Sequence, residues 1–223
     1  MRKQLMICLA VLVLCLPATV AQDSGQGRPP AATANRIELP PPSVSGGMSL
    51  TQALATRRSL RSFLPTPLTK AELSQILWAA QGITDKQGHR TAPSASAQYY
   101  LHVYVAMADG FFEYLPSGHQ LQKLSGADLR SKFSTQQSVN QAPAVLLIAG
   151  EYGRATTRSG PEKGPRVVNL EAGHVAENVL LQATALGLGA VPVAGIEPKD
   201  VQQAASLPAQ YNVIYLIPVG HPK

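Results

Sequence analysis

Residues 99–115 read YYLHVYVAMADGFFEYL, and they decide the class of the fold. From Tyr99 to Met107 apolar and β-branched residues alternate well enough for a strand. Asp109-Gly110 is a hairpin dipeptide, and Phe111 to Leu115 resumes the strand pattern. A tight hairpin joins antiparallel neighbours, so the sheet that contains it cannot be purely parallel. Further along, residues 144–149 form an unbroken apolar run, expected of a central strand buried on both faces. Strands over 190–196 and 213–219 complete the set.

Helices interleave with these strands. Ser49 with Gln52 makes a capping box for a short helix through Arg57. Thr69 with Glu72 caps a second, with Leu73, Ile76, Leu77 and Ala80 on one face and Gly82 as its stop. A helix is expected over about 127–137, and another opens at Pro198. The longest runs over about 167–186 and carries small residues on several sides: Ala172, Gly173, Ala176, Ala183 and Ala185. Such a helix can approach another backbone closely, which places it at the centre of the fold or of a dimer. The class is α+β, with mixed α/β/α layers.

The N-terminus reads as an export signal. Arg2 and Lys3 precede an apolar run from Leu5 to Leu16, and Thr19-Val20-Ala21 offers small residues at a cleavage site. The run is too short to span a bilayer as a helix, which takes about 20 residues. Leu14 stands before Cys15 where a lipoprotein anchor wants a small residue, and there is no arginine pair, so general secretion is the expected route. Cleavage after Ala21 would remove both cysteines of the chain, excluding a disulfide scaffold, a thiolate nucleophile and a cysteine-based metal site. Residues 22–47 are rich in Pro, Gly and Ser and read as an extended linker, although Ile37-Glu38-Leu39-Pro40 could lie against the body of the protein. Residues 48–223 then suit one domain.

Several familiar chemistries are excluded by pattern. Gly187-Leu188-Gly189 follows a helix and precedes a strand, the reverse of a dinucleotide-binding turn, so these glycines read as a helix stop. No phosphate loop and no Gly-x-Ser-x-Gly elbow occurs. The five histidines (His89, His102, His119, His174 and His221) lack ligand spacing. Glu171-x-x-His174 has the spacing of bundle metal sites, but those need a second such motif and two more carboxylates. No metal is expected, and these polar residues would instead satisfy buried groups. Basic residues are scattered without a stripe or interleaved aromatics, which argues against nucleic acid. One cluster stands out: Arg57-Arg58-Ser59-Leu60-Arg61. Three guanidinium groups and a hydroxyl within five residues suit a small anion, and equally a solvated basic patch.

At this cluster the sequence resembles the FMN-dependent nitroreductase family, and the match continues in order from about Ile37 to Pro222. Ile37-x-Leu39-Pro40, Arg57-Arg58-Ser59-x-Arg61-x-Phe63, residues 77–84 (LWAAQGIT) and residues 90–95 (RTAPSA) look like its azoline-dehydrogenase (SagB-type) branch. So do Tyr114-x-Pro116-x-x-His119, Ala172-Gly173-His174-x-Ala176-x-Asn178, residues 187–193 (GLGAVPV) and Pro218-Val219-Gly220-His221-Pro222.

The resemblance implies a nitroreductase-like fold, a central sheet flanked by helices in a domain-sharing homodimer with two shared flavin sites. By position, Arg57, Arg58, Ser59 and Arg61 would hold the phosphate and ribityl chain of FMN. Pro93, Ser94 and Ala95 would come from the partner subunit and border the flavin ring. Ala194 and Gly195 match a turn whose backbone amides face the ring, and Gln136 aligns with a polar ring contact. The chain departs from classical relatives at Ser96, Ala97 and Ala194, and Lys223 is the basic residue left to take the place of a longer C-terminal arm.

The implied activity is an exported FMN-dependent oxidoreductase that passes electrons to a small-molecule acceptor, with no catalytic acid or base assigned. A flavin- or small-ligand-binding protein without turnover, and a protein–protein module on the same fold, are the alternatives. NAD(P)H would serve as donor in vitro. An envelope redox partner would replace it after export, and no membrane span would remain once the signal is cleaved.

Overall fold

The computed structural model describes residues 35–223. The export signal, and the linker as far as residue 34, lie outside the described residues. Within them, the strands form one antiparallel sheet in the order β1-β4-β3-β2-β5-β7-β6. These are β1 (Arg36–Glu38), β2 (Leu101–Met107), β3 (Gly110–Leu115), β4 (Gln120–Ser125), β5 (Ala144–Gly150), β6 (Gly189–Ala190) and β7 (Asn212–Gly220). The β2–β3 hairpin turns where Asp109-Gly110 predicts, with Met107 opposite Gly110.

The sheet is covered on both faces, and β5 shows why its sequence is apolar without interruption. Ala144, Leu146 and Ile148 join one packing cluster. Val145, Leu147 and Ala149 join the other. Full burial of each larger side chain contributes about 1.5–3 kcal/mol, so this strand anchors both layers. On the first face lie α2 (Lys70–Gln81), α5 (Tyr152–Ser159) and α6 (Lys163–Ala185). On the second lie α3 (Arg130–Phe133), α4 (Gln137–Asn140) and α7 (Pro198–Ala204). The α/β/α layering expected from the sequence is therefore present.

The helix ends follow the local chemistry. Ser49 caps α1 (Leu50–Thr56) through the Gln52 amide. Thr69 and Glu72 form a reciprocal capping box on α2. The stop of α6 is a Schellman turn: Gly187, at φ 72°, donates to the Thr184 carbonyl, and the Leu188 amide donates to Ala183 at 2.8 Å. Gly82 ends α2 for a different reason. Its backbone is extended, and a side chain there would collide with Trp78.

Three expectations need correction. The helix over 127–137 is two single turns, α3 and α4. Ser134 is extended between them and its hydroxyl accepts the Gln136 amide at 3.1 Å, a local bond that competes with helix continuation. The strand over 190–196 shrinks to β6, because Pro192 has no amide to donate and only Val193 regains a bridge, to Leu216. Beyond it the Ile196 amide closes back on the Ala194 carbonyl. The linker does not extend to residue 47 as a free arm. Arg36–Glu38 pair with β4 in register, Leu39 is buried, and the Ser43 amide and carbonyl both bond to the Gln75 side chain.

Candidate functional site

The basic cluster leaves the C-terminal end of α1 and runs beside β6. Ser59 bridges Ala190, and the Leu60 amide donates to the Ala190 carbonyl at 3.1 Å. Phe63 is buried, pinning the segment to the body, while Arg58, Ser59 and Arg61 are exposed and Arg57 is half-buried. The guanidinium groups find little neutralisation among the described residues. Arg57 lies 3.8 Å from the exposed Glu177 of α6. Arg58 donates to the carbonyls of Ala55 and Arg57, at 3.2 and 2.7 Å, completing the end of α1. Among the described residues Arg61 reaches the Ser59 carbonyl alone, at 3.5 Å. Three cations thus stand within five residues with one long ion pair among them.

Two other members of the expected set meet. The Gln136 side-chain amide donates to the Gly195 carbonyl at 2.9 Å, joining the start of α4 to the turn after β6. Ala194 and Gly195 are exposed, and neither of their amides has a hydrogen-bond acceptor among the described residues. The position of a Cβ on Gly195 would meet only the Gln136 amide, at 3.7 Å, so the turn is open to an approaching molecule.

Pro93, Ser94 and Ala95 lie elsewhere, against the N-terminal half of α6, and no hydrogen bond among the described residues joins them to the basic cluster. Here the Glu171-x-x-His174 spacing finds its use. Glu171 is 1% exposed. Its carboxylate accepts from the Ser94 hydroxyl at 2.6 Å, the Tyr100 amide at 3.3 Å and the Gln81 side chain at 3.4 Å. Ser94 accepts in turn from the Tyr99 amide at 2.8 Å. One turn along α6, His174 Nδ1 is 3.3 Å from the Pro93 carbonyl. The pair is a two-point clamp on a loop that needs holding: Ser96, Ala97 and Tyr99 all have positive φ, near 50°. Burial pushes the Glu171 carboxyl up. The hydrogen bonds and the nearby Arg90 oppose that shift.

The sequence favours polar residues satisfying buried groups over a metal at this spacing, and Glu171 does that. The signal for its true place was available: Val168, Ala172 and Val175 are buried on the same stripe, so a carboxylate there must be satisfied from within. A second polar knot was not foreseen. His102 lies between Glu113 and Glu151, at 3.0 and 2.9 Å, and stacks on Tyr211 with ring centroids 4.1 Å apart. Burial alone would lower its pKa, but the two carboxylates outweigh that and raise it.

Comparisons with known proteins agree on the kind of molecule this is. The nitroreductase family profile matches residues 54–221. A Methanocaldococcus jannaschii protein that carries a provisional nitroreductase name is 39% identical over 183 residues, 78% of this chain and 91% of the relative. A crystal structure from Ralstonia eutropha, also provisionally named a nitroreductase, superposes with a TM-score of 0.80 at 34% identity, covering 85% of this chain and 90% of that one. The NADPH:FMN oxidoreductase of Vibrio harveyi shares the fold at a TM-score of 0.59 and 20% identity, over 78% of this chain and 69% of its own.

Proposed function

Because the chain belongs to the nitroreductase family of flavin-dependent oxidoreductases, we propose that it is an exported, homodimeric FMN enzyme that passes electrons to a small-molecule acceptor. The observation that carries this reading is the trio of half-buried Arg57 and exposed Arg58 and Arg61 beside β6, a cationic cluster with almost no counter-charge among the described residues.

The residues present fit the group. Guanidinium forks suit a phosphate, and the Ser59 hydroxyl is exposed among them. The free amides of Ala194 and Gly195 can donate to ring atoms without any titrating side chain, and Gln136 fixes the turn that presents them. Bound there, the flavin would supply the redox chemistry, taking two electrons from a donor and returning them to an acceptor. The protein's part is to hold and orient. Pro93, Ser94 and Ala95 would reach the ring from the partner subunit, on a loop whose shape Glu171 and His174 set.

A dimer is supported by what the described surface leaves bare. Leu50 and Leu54, one turn apart on α1, are 66% and 56% exposed, and Leu170 on the neighbouring α6 is 53% exposed. Large apolar residues left bare on two packed helices suit a covered face. The azoline-dehydrogenase branch remains the reading of the motifs at residues 77–84 and 90–95. Export follows from the signal-like residues 1–21. It sets a chemical condition, because nicotinamide nucleotides are kept in the cytoplasm. We therefore assign NAD(P)H the role of an in-vitro donor and an envelope redox partner the physiological one.

Anaerobic stopped-flow on purified holoprotein tests the reading. Reduction by dithionite followed by reoxidation with a nitroaromatic or quinone acceptor is expected to restore the flavin band with turnover. Flavin that binds but never reoxidises through an acceptor would leave a binding protein. Reduction by NADPH at ordinary enzyme rates, about 1–10³ per second, would remove the case for another donor. Light scattering should give twice the single-chain mass, and a monomer with flavin bound would take the Pro93–Ala95 loop out of the site.

A further inference from the structure

A cavity of about 720 Å³ shares no residue with the set assigned to flavin. It opens at the end of the sheet where the β2–β3 hairpin turns, α2 begins and the segment after Phe63 crosses. Its walls come from the core itself: Leu39, Phe63, Leu73, Phe112 and Leu121 are all buried residues that turn one edge into the space. Its floor is thus built by the fold, and its size falls within the range of about 300–1,000 Å³ usual for small-molecule sites.

Its polar lining is unbalanced. The charged side chains in its lining are Lys70, Arg130 and Lys223 against Asp109. Arg130 is spoken for, paired with Asp128 at 2.6 Å and donating to the Ala142 carbonyl at 2.7 Å. Among the described residues, neither Lys70 nor Lys223 has a carboxylate within ion-pair distance. Lys70 is also in the wrong place for its helix. It is the first residue of α2, where the helix field favours an anion and disfavours a cation. A lysine kept at that end beside an apolar cavity has a use when an acid sits in front of it.

We infer that this cavity binds an amphiphilic monoanion, an alkyl or aryl carboxylate of medium chain length, with its apolar body against Leu39, Leu73, Phe112 and Leu121 and its carboxylate at Lys70. Hydrocarbon burial supplies most of the affinity and the lysine supplies the orientation. The site stands apart from the proposed flavin chemistry and does not depend on it.

Calorimetric titration of the full-length protein with octanoate, decanoate and dodecanoate tests this. Each added methylene should tighten binding about fourfold, the equivalent of about 0.8 kcal/mol, and decanol should bind more weakly than decanoate. Lys70→Glu, at an exposed position, should weaken decanoate about fivefold. Gln141→Trp, on the exposed rim, should abolish binding while circular dichroism stays that of the wild type. Absence of binding to the wild-type chain, or a chain-length series without a trend, overturns the proposal. Equal affinity for decanol and decanoate removes the anion from it. Displacement of FMN by dodecanoate would place the acid in the flavin site instead. Affinity that falls as protein concentration rises would show that a second copy covers the cavity, and that too would refute the assignment.

Discussion

The loop at Pro93–Ala95 and the cluster at Arg57–Arg61 were both expected at one ligand, yet they are built in opposite ways. The loop is closed within the chain. The Glu171 carboxylate accepts from Ser94, Tyr100 and Gln81, and Arg90 ties into the knot through Gln81 at 2.9 Å. The arginine cluster is left unfinished, its cations resting on backbone carbonyls and one long ion pair. Buried polar groups with all partners supplied act on folding, since removing one strands the rest. Exposed charges without partners contribute little to folding and have binding energy left to give. The first region should therefore fail by unfolding and the second by losing its ligand.

The largest effect should follow from Glu171→Ala. It strands the Tyr100 amide and Gln81 side chain of two buried residues and the half-buried Ser94 hydroxyl at once, and the expected loss is about 3–5 kcal/mol in urea unfolding. A loss below about 1 kcal/mol would mean that water replaces the carboxylate and that the loop is not closed as described. Ser94→Ala should cost less, about 1–2 kcal/mol, because Glu171 keeps its other two donors. If instead Ser94→Ala changed FMN affinity with no effect on stability, the two regions would not divide in this way.

His102 sharpens the same contrast through pH. Its folded pKa is raised, so its ion pairs stabilise the protein fully below the ordinary histidine value of about 6.5 and fade as pH rises through the higher folded value. Stability should then decline as pH rises above about 6.5, and His102→Gln should flatten that part of the profile. A profile unchanged by the substitution would show that Glu113 and Glu151 do not hold the imidazolium. Arg58→Ala lies at the small end: its stability should move by no more than about 0.5–1 kcal/mol, the loss of a helix-end contact.

Local chemistry made much of the fold legible. Capping boxes at Ser49 and Thr69, the Asp109-Gly110 turn and the apolar run of β5 are signals complete within a few residues. What was missed depends on distant partners. β4 reads QLQKLS, with only Leu121 fully buried, and becomes a strand because β3 and β1 lie on either side of it. The helix α5, YGRATTRS, buries only Ala155 and leaves almost no apolar stripe to read. The site divides likewise. The basic cluster and the Ala194-Gly195 turn are contiguous in sequence, so position alone could propose them. The Glu171 clamp joins residues 77 apart in the chain, and only packing brings them together.

The account rests most heavily on the arginine cluster holding a flavin phosphate, and paired titrations with FMN and riboflavin test that directly. The two ligands differ only in the phosphate. Wild-type protein should prefer FMN, and Arg58→Ala should lower FMN affinity about 10- to 100-fold while leaving riboflavin affinity unchanged. Equal affinity of the wild type for both ligands, or an equal loss of both in Arg58→Ala, would take the phosphate away from the cluster and contradict the account.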